Sequence, residues 1–487
     1  MAARRTLHRA RVPALVCILL LVPVGCDTGD PSGTAPARQS GDAAPSATSA
    51  ALTGLPPRPV RKKPVACPSG RMRSWSMHDI ATVSQGREVA DSPPDVAVST
   101  AGTATVAWSP QAGGIRTAYD PPAPGDPQDP THGAPLSADF PAFNDYLGID
   151  AADKQTLVYS QHVSDGGNAH VDVVRSDRAP GAQWSSFPAK VVHPARPDLM
   201  QLAVNSSGAA VVVWQKYPAS GRAQPRYSSY RDAAGAAWTS PERVLGAQAF
   251  APHVGIDDAG RVLVAYNRIA DPYKGGVWAV RRSATGGWEK PQHLIGPDKE
   301  MFGLTVGARG AAVVTYGEVY NAGVPIGPQF TSRMSPDGTW GAPVRQPQGP
   351  PFGLISGAVD MDAKGRVLIA GWDGTDVLGR WSSPDGRWRK PFVLAARVSK
   401  PRHFLLKAAL NRRGDALVVW GAKTEEAQLW ARYKPVGQEW TKPVMVTRAD
   451  SPPSRFGATV GECGHAAVAW TTRDDRQVQV RRASPKS

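Results

Sequence analysis

From about residue 72 onward the chain repeats one pattern of apolar and polar positions at a period near fifty. The clearest copy spans residues 254–294, VGIDDAGRVLVAYNRIADPYKGGVWAVRRSATGGWEKPQHL. Two apolar runs flank Asp257-Asp258-Ala259-Gly260, residue types that suit a tight hairpin turn. The second run, Val262 to Tyr266, is apolar at every position rather than at alternate ones. That suits a strand covered on both faces. Gly276 to Arg282 reads as a third strand, Ala284 to Gly287 as a turn, and Trp288-x-x-Pro291-x-x-Leu294 as a fourth strand. Four antiparallel strands per unit, repeated at this period, predict the blades of a β-propeller.

Two signatures carry the register along the chain. The second strand ends on an aromatic residue at Trp108, Tyr159, Trp214, Tyr266, Tyr316, Trp420 and Trp470, with a shifted copy at Gly371-Trp372. Tryptophan followed three residues later by proline recurs at Trp238, Trp288, Trp340, Trp388 and Trp440, with Trp184 and Pro188 as a longer variant. The first unit lacks this Trp and carries a Pro-rich insert at 120–130 instead, so one blade is irregular. The chain ends on a third strand, 477–482, and the segment around Trp75 supplies the fourth strand that this last unit lacks. A shared blade would close the ring and leave no unpaired edge. The expected fold is all-β: one domain over 67–487, a propeller of about eight four-stranded blades, with seven as the alternative.

The segments SRMSPDGTW (332–340) and WSSPDGRW (381–388) resemble shortened Asp-boxes of the sialidase-type BNR repeat, which lie on the turn between a blade's third and fourth strands. They are one residue short, the Asp is absent from other units, and about eight units replace the six blades of sialidases. The resemblance implies that the working face lies opposite the Asp-box turns, on the loops between second and third strands. Those loops carry Tyr217, Asp271, Tyr273, Glu318, Tyr320, Asp373 and Asp376, with Glu425 and Glu426 further on. Glu318 beside Tyr320 is similar to the Tyr/Glu pair of that family, but no arginine triad is assignable.

The N-terminus changes the picture from enzyme-like propeller to exported protein. Arg4, Arg5, Arg9 and Arg11 precede an apolar run at 14–25, the layout of a secretory signal. The run is too short to span a bilayer. Pro23-Val24-Gly25-Cys26 resembles a bacterial lipobox, which implies a signal peptide over 1–25 and lipidation of Cys26, with palmitate among the acyl groups. Ordinary cleavage near 35–37 is the alternative. Residues 26–66, rich in Pro, Ala and Ser, cannot bury enough surface to fold and read as a disordered tether. The expected location is the outer face of the bacterial cytoplasmic membrane, held there through the lipid alone.

With Cys17 in the signal and Cys26 at the lipid site, Cys67 and Cys463 remain. Cys463 falls on the first turn of the last unit and Cys67 leads into that same blade's fourth strand. A disulfide would staple the closure in an oxidising compartment, with two free thiols as the alternative.

The formal charge of +15 points to an anionic envelope polymer, a glycan or an exported protein as partner. Nucleic acid does not fit an exported chain. An arginine recurs in or after each third strand, at Arg116, Arg175, Arg231, Arg282, Arg333, Arg380, Arg432 and Arg481, as blade structure or as a ligand-binding ring. No spacing of His or Cys suggests a metal, and no cofactor or nucleophile motif is present. Asp360-x-Asp362-x-x-Gly365 opens like a calcium loop but is also this unit's hairpin turn. These readings favour a monomeric, non-catalytic binding or scaffold module, with a sialidase-like glycoside hydrolase as the alternative.

Overall fold

The computed structural model describes residues 67, 74–84, 93–110, 114–120, 142–165, 168–182, 184–185, 189–195, 197–216, 225–268, 275–284, 286–296, 299–320, 324–346, 358–398, 404–422, 428–447, 453–472 and 477–486. Among them every regular element is a strand. Eight antiparallel sheets follow one another: blade one (95–120), two (142–195), three (197–245), four (249–295), five (299–345), six (359–395), seven (404–445) and eight (453–486 with 74–82). Seven sheets have four strands and blade one has three; residues 121–141, where its fourth would fall, lie outside the described residues. The first strands of successive blades are neighbours all round, including blade eight against blade one, so the ring is closed with eight blades.

The turns explain why each unit folds alike. At 99, 150, 205, 257, 307, 362, 411 and 461 a four-residue turn joins the first strand to the second. In each, the fourth residue's N–H donates to the first residue's carbonyl at 2.9–3.1 Å. The fourth residue is left-handed in all eight, Gly in seven and Asp153 (φ 59°) in the other. Asp257 shows how the first position closes the turn, since its Oδ1 accepts the N–H groups of Ala259 (3.0 Å) and Arg261 (2.8 Å).

Continuous apolarity of the second strands follows from stacking. Val211 and Val213 face blade four while Val212 and Trp214 face blade two, so alternate residues enter different cores. The buried residues form eight clusters, each spanning two adjacent blades, and the cluster joining Val96 and Val106 to Ala469 and Val480 closes the circle. A fully buried Val or Leu contributes about 1.5–3 kcal/mol at such a site.

The fourth strands begin later than the sequence pattern suggests. Trp288 makes only an isolated bridge to Arg282, and the strand proper is Gln292–Ile295. Trp340 and Trp388 behave in the same way. The proline three residues after the Trp has no N–H to donate, so the ladder resumes beyond it.

Closure is as the two chain ends imply. Ser74–Thr82 pairs antiparallel with Val478–Lys486, placing Trp75 opposite Pro485. Trp75 also stacks on Tyr433 of blade seven, with ring centroids 4.8 Å apart. Cys67 and Cys463 are disulfide-bonded, their Cα atoms 5.2 Å apart. Residues 1–61 separate from 62–487 as a unit and lie outside the described residues, Cys26 among them.

Candidate functional site

The loop-face residues are placed as follows. Tyr217, Asp271 and Tyr273 lie outside the described residues. Glu318 and Tyr320 stand at the end of blade five's second strand, Ala312–Tyr320. The Glu318 carboxylate accepts from Lys299 at 2.6 Å. Asp373 and Asp376 occupy the corresponding turn of neighbouring blade six. Asp373 Oδ1 accepts the N–H groups of Thr375 (2.9 Å) and Asp376 (2.7 Å), and Asp376 accepts that of Arg397 (2.8 Å). Each of these three carboxylates therefore has a local partner.

The recurring arginines do not make one ring. Arg231 and Arg282 pair with the first residue of their second strands, Arg333 with the second, and Arg380, Arg432 and Arg481 with the third. Since successive strand residues face opposite ways, Arg333 faces the following blade while the other five face the preceding one, Arg231 reaching Asp177, Arg282 lying over Tyr230 and Arg380 reaching Gln346. Arg432 and Arg481 clamp onto the previous blade, donating to the carbonyls of Leu394 (3.0 Å) and Met445 (2.8 Å) respectively.

Two connected cavities lie on the hairpin-turn face. One is the axial mouth, about 200 Å³, where the first strands converge. It is ringed by the second residue of successive turns, including Ser206, Asp258, Ala308, Ala363, Arg412 and Glu462. Arg412 of blade seven crosses the axis and forks onto both carboxylate oxygens of Asp258 in blade four. Its Nε lies 3.8 Å from Glu462. Burial pushes the Glu462 carboxyl above the usual range, Arg412 pulls it back, and Asp258 pushes it further up. Ser206 donates to Asp258 at 2.8 Å.

The other cavity, about 590 Å³, is a radial groove between blades five and six that shares Ala308, Met361 and Ala363 with the mouth. Its walls include Trp340, Trp388 and Arg333, with Arg309 and Lys364 towards solvent. Both Asp-box-like turns border it. In each the serine hydroxyl (Ser335, Ser383) donates to the aspartate (Asp337, Asp385), and the fourth-position glycine closes onto the serine carbonyl at 2.9 Å. The serine hydroxyl, followed by the backbone N–H two residues on, holds each exposed aspartate below its usual pKa. Arg333 Nη2 donates to the carbonyls of Gly365 (2.9 Å) and Pro384 (2.8 Å). Burial lowers its pKa, with Asp385 acting in opposition.

The groove has no motif of its own in the sequence, and the turn beside it differs from the turns of both neighbouring blades. The turn of blade five reads Gly307-Ala-Arg-Gly-Ala311, where blade four reads Asp257-Asp-Ala-Gly-Arg261 and blade six Asp362-Ala-Lys-Gly-Arg366. In the flanking blades the Asp and Arg pair at 2.6 Å. The calcium-like Asp360 and Asp362 have structural roles: Asp362 holds Arg366, and Asp360 accepts the Leu410 N–H at 2.7 Å. Among the described residues no group of three or more His, Cys, Asp or Glu could hold a metal ion.

No protein-family model and no curated protein sequence matches the chain. Solved structures with a similar outline include the BP39L lectin from Burkholderia pseudomallei, at 12% identity over 74% of this chain and 100% of that one, TM-score 0.47. An ulvan lyase of polysaccharide lyase family PL25 gives 12% identity over 82% and 94%, TM-score 0.46. A post-proline cleaving enzyme from Rickettsia typhi gives 9% identity over 78% and 58%, TM-score 0.44. Overlaps this loose add nothing to what the strand order establishes.

Proposed function

We propose that this protein is a lipid-anchored β-propeller on the outer face of the bacterial cytoplasmic membrane, acting there as a non-catalytic binding or scaffold module for an envelope glycan or exported protein. The observation that carries binding over catalysis is the chemistry of the larger cavity. It offers two indoles and cationic side chains, while the carboxylates lining it, Asp362 and Asp385, are held by Arg366 and Ser383. Glycoside hydrolysis needs two carboxyl groups, or a tyrosine and a carboxylate, free to face one bond. Glu318, the residue that the sialidase reading would use, is ion-paired with Lys299. The Asp-box-like turns fit a degenerate BNR repeat kept for blade structure.

The basic charge supports an anionic polymer as partner, with affinity that weakens as salt rises. The leader and Cys26 support the anchor. Immobilised mature protein should retain an acidic envelope polysaccharide at low ionic strength and release it at high. Intact mass of the membrane fraction should show an acylated N-terminus at Cys26. Failure of retention at any salt concentration removes the binding role, and a non-acylated N-terminus elsewhere removes the anchor.

A further inference from the structure

We propose that the groove between blades five and six is the ligand site of this propeller and that it takes a uronate residue of an acidic glycan; this inference rests on the binding function above. The groove borders a turn that lacks the Asp/Arg side-chain pair carried by the blades on either side. At the preceding interface Arg261, held by Asp257, extends across to the carbonyls of Arg309 (2.8 Å) and Pro336 (3.0 Å) in blade five. At the following interface Arg366, held by Asp362, extends to Arg413 of blade seven (3.4 Å). Gly307 and Ala311 stand at these positions in blade five, so no side chain crosses from this turn; Arg333 of the third strand crosses instead, and the cavity of about 590 Å³ lies beside it. A volume of this order suits a small ligand or one to two sugar rings.

Its chemistry selects the class of ligand. Arg333 is fixed by two carbonyls of blade six through Nη2, while its Nη1 is buried with no hydrogen-bond partner among the described residues. Trp340 Nε1 is a second buried donor without a partner among them. A guanidinium in the wall places positive charge beside the groove, which suits an anionic group such as a carboxylate. Trp340 and Trp388, both half-buried, supply flat apolar faces for a sugar ring. Lys364 and Arg309 keep the entrance positive, and the two aspartates of the lining are engaged in their own turns. A ring that is apolar on its faces, hydroxylated at its edge and anionic at one carbon matches all of these at once. An acidic peptide would supply the charge without a ring to lie on the indoles.

The test titrates the mature protein with tetragalacturonate, following tryptophan fluorescence, beside its fully methyl-esterified form and a tetra-aspartate peptide. Ala311→Arg installs the side chain that the flanking units carry and should fill the groove. Lys364→Glu changes an exposed residue and leaves the fold untouched, as an unchanged melting temperature would verify. We expect saturable binding of tetragalacturonate, no binding of the ester or peptide, and a loss of about tenfold or more in affinity for either variant. Both variants binding like wild type would overturn the site. The ester or the peptide binding as tightly as the uronate would overturn the ligand class. In either case the binding function itself stands as long as the envelope polymer is still retained; absence of that retention refutes the underlying function instead.

Discussion

Asp360 shows how much one residue can carry in a ring fold. It lies on the first strand of blade six, where its carboxylate accepts the Met361 N–H (2.7 Å), the Thr305 hydroxyl of blade five (3.1 Å) and the Leu410 N–H of blade seven (2.7 Å). Burial pushes its pKa up to about 6 in spite of these donors. A raised carboxyl pKa means the fold favours the protonated form. Its stabilising contribution is therefore complete below the ordinary value of 3.8 and is lost as pH rises through about 6. His253, pushed down to about 4 by burial, works in the opposite sense, stabilising above 6.5 and losing that contribution as pH falls through about 4. The two mask each other in the wild type. Asp360→Asn should expose the difference: the stability of wild type minus variant should fall by about 2 kcal/mol between pH 4 and pH 7. Parallel melting curves across that range would contradict the assignment. Arg412 gives a second residue-scale expectation. Arg412→Ala should cost about 1 kcal/mol at pH 7, because Asp258 and Glu462 then lose the cation they share. The loss should shrink in acid and in high salt, and a pH-independent loss would point to packing instead.

At the scale of the element, closure is the most exposed feature of the design. The outer strand of blade eight comes from the opposite end of the chain, and the Cys67 to Cys463 disulfide ties the approach to it. Cys67→Ser should cost about 2–4 kcal/mol and lower the melting temperature, and reductant should do the same to the wild type. An unchanged melting temperature on reduction would show that strand pairing alone holds the ring. Both strand and disulfide were readable in the sequence, because an unfilled fourth strand at one end and a spare Trp segment at the other have few ways to fit together. The eight turns were readable for a related reason: a left-handed fourth position restricts residue choice to Gly with the one exception, Asp153. The groove was not read, because it is marked by an absence. Gly307 and Ala311 look like ordinary turn residues until the paired Asp and Arg of blades four and six are set beside them. The late start of the fourth strands was also unread, since Trp-x-x-Pro marks the turn rather than the ladder.

At the largest scale, eight interfaces of similar construction close the ring of blades. Function then falls to the places where the repeat departs from itself. Among the described residues, such places on the hairpin-turn face include the axial mouth crossed by Arg412 and the groove beside Ala311. The loop face expected from the sialidase resemblance holds Glu318, Asp373 and Asp376 in local pairings. The proposed function has this ring binding an acidic envelope glycan without cutting it. Size-exclusion chromatography of mature protein incubated with a defined-length acidic envelope polysaccharide tests that claim most directly, because one run reports both association and chain length. Binding without cleavage gives co-elution at low salt, separation at high salt and a polymer of unchanged length; a shortened polymer, or separate elution at every salt concentration, would refute it.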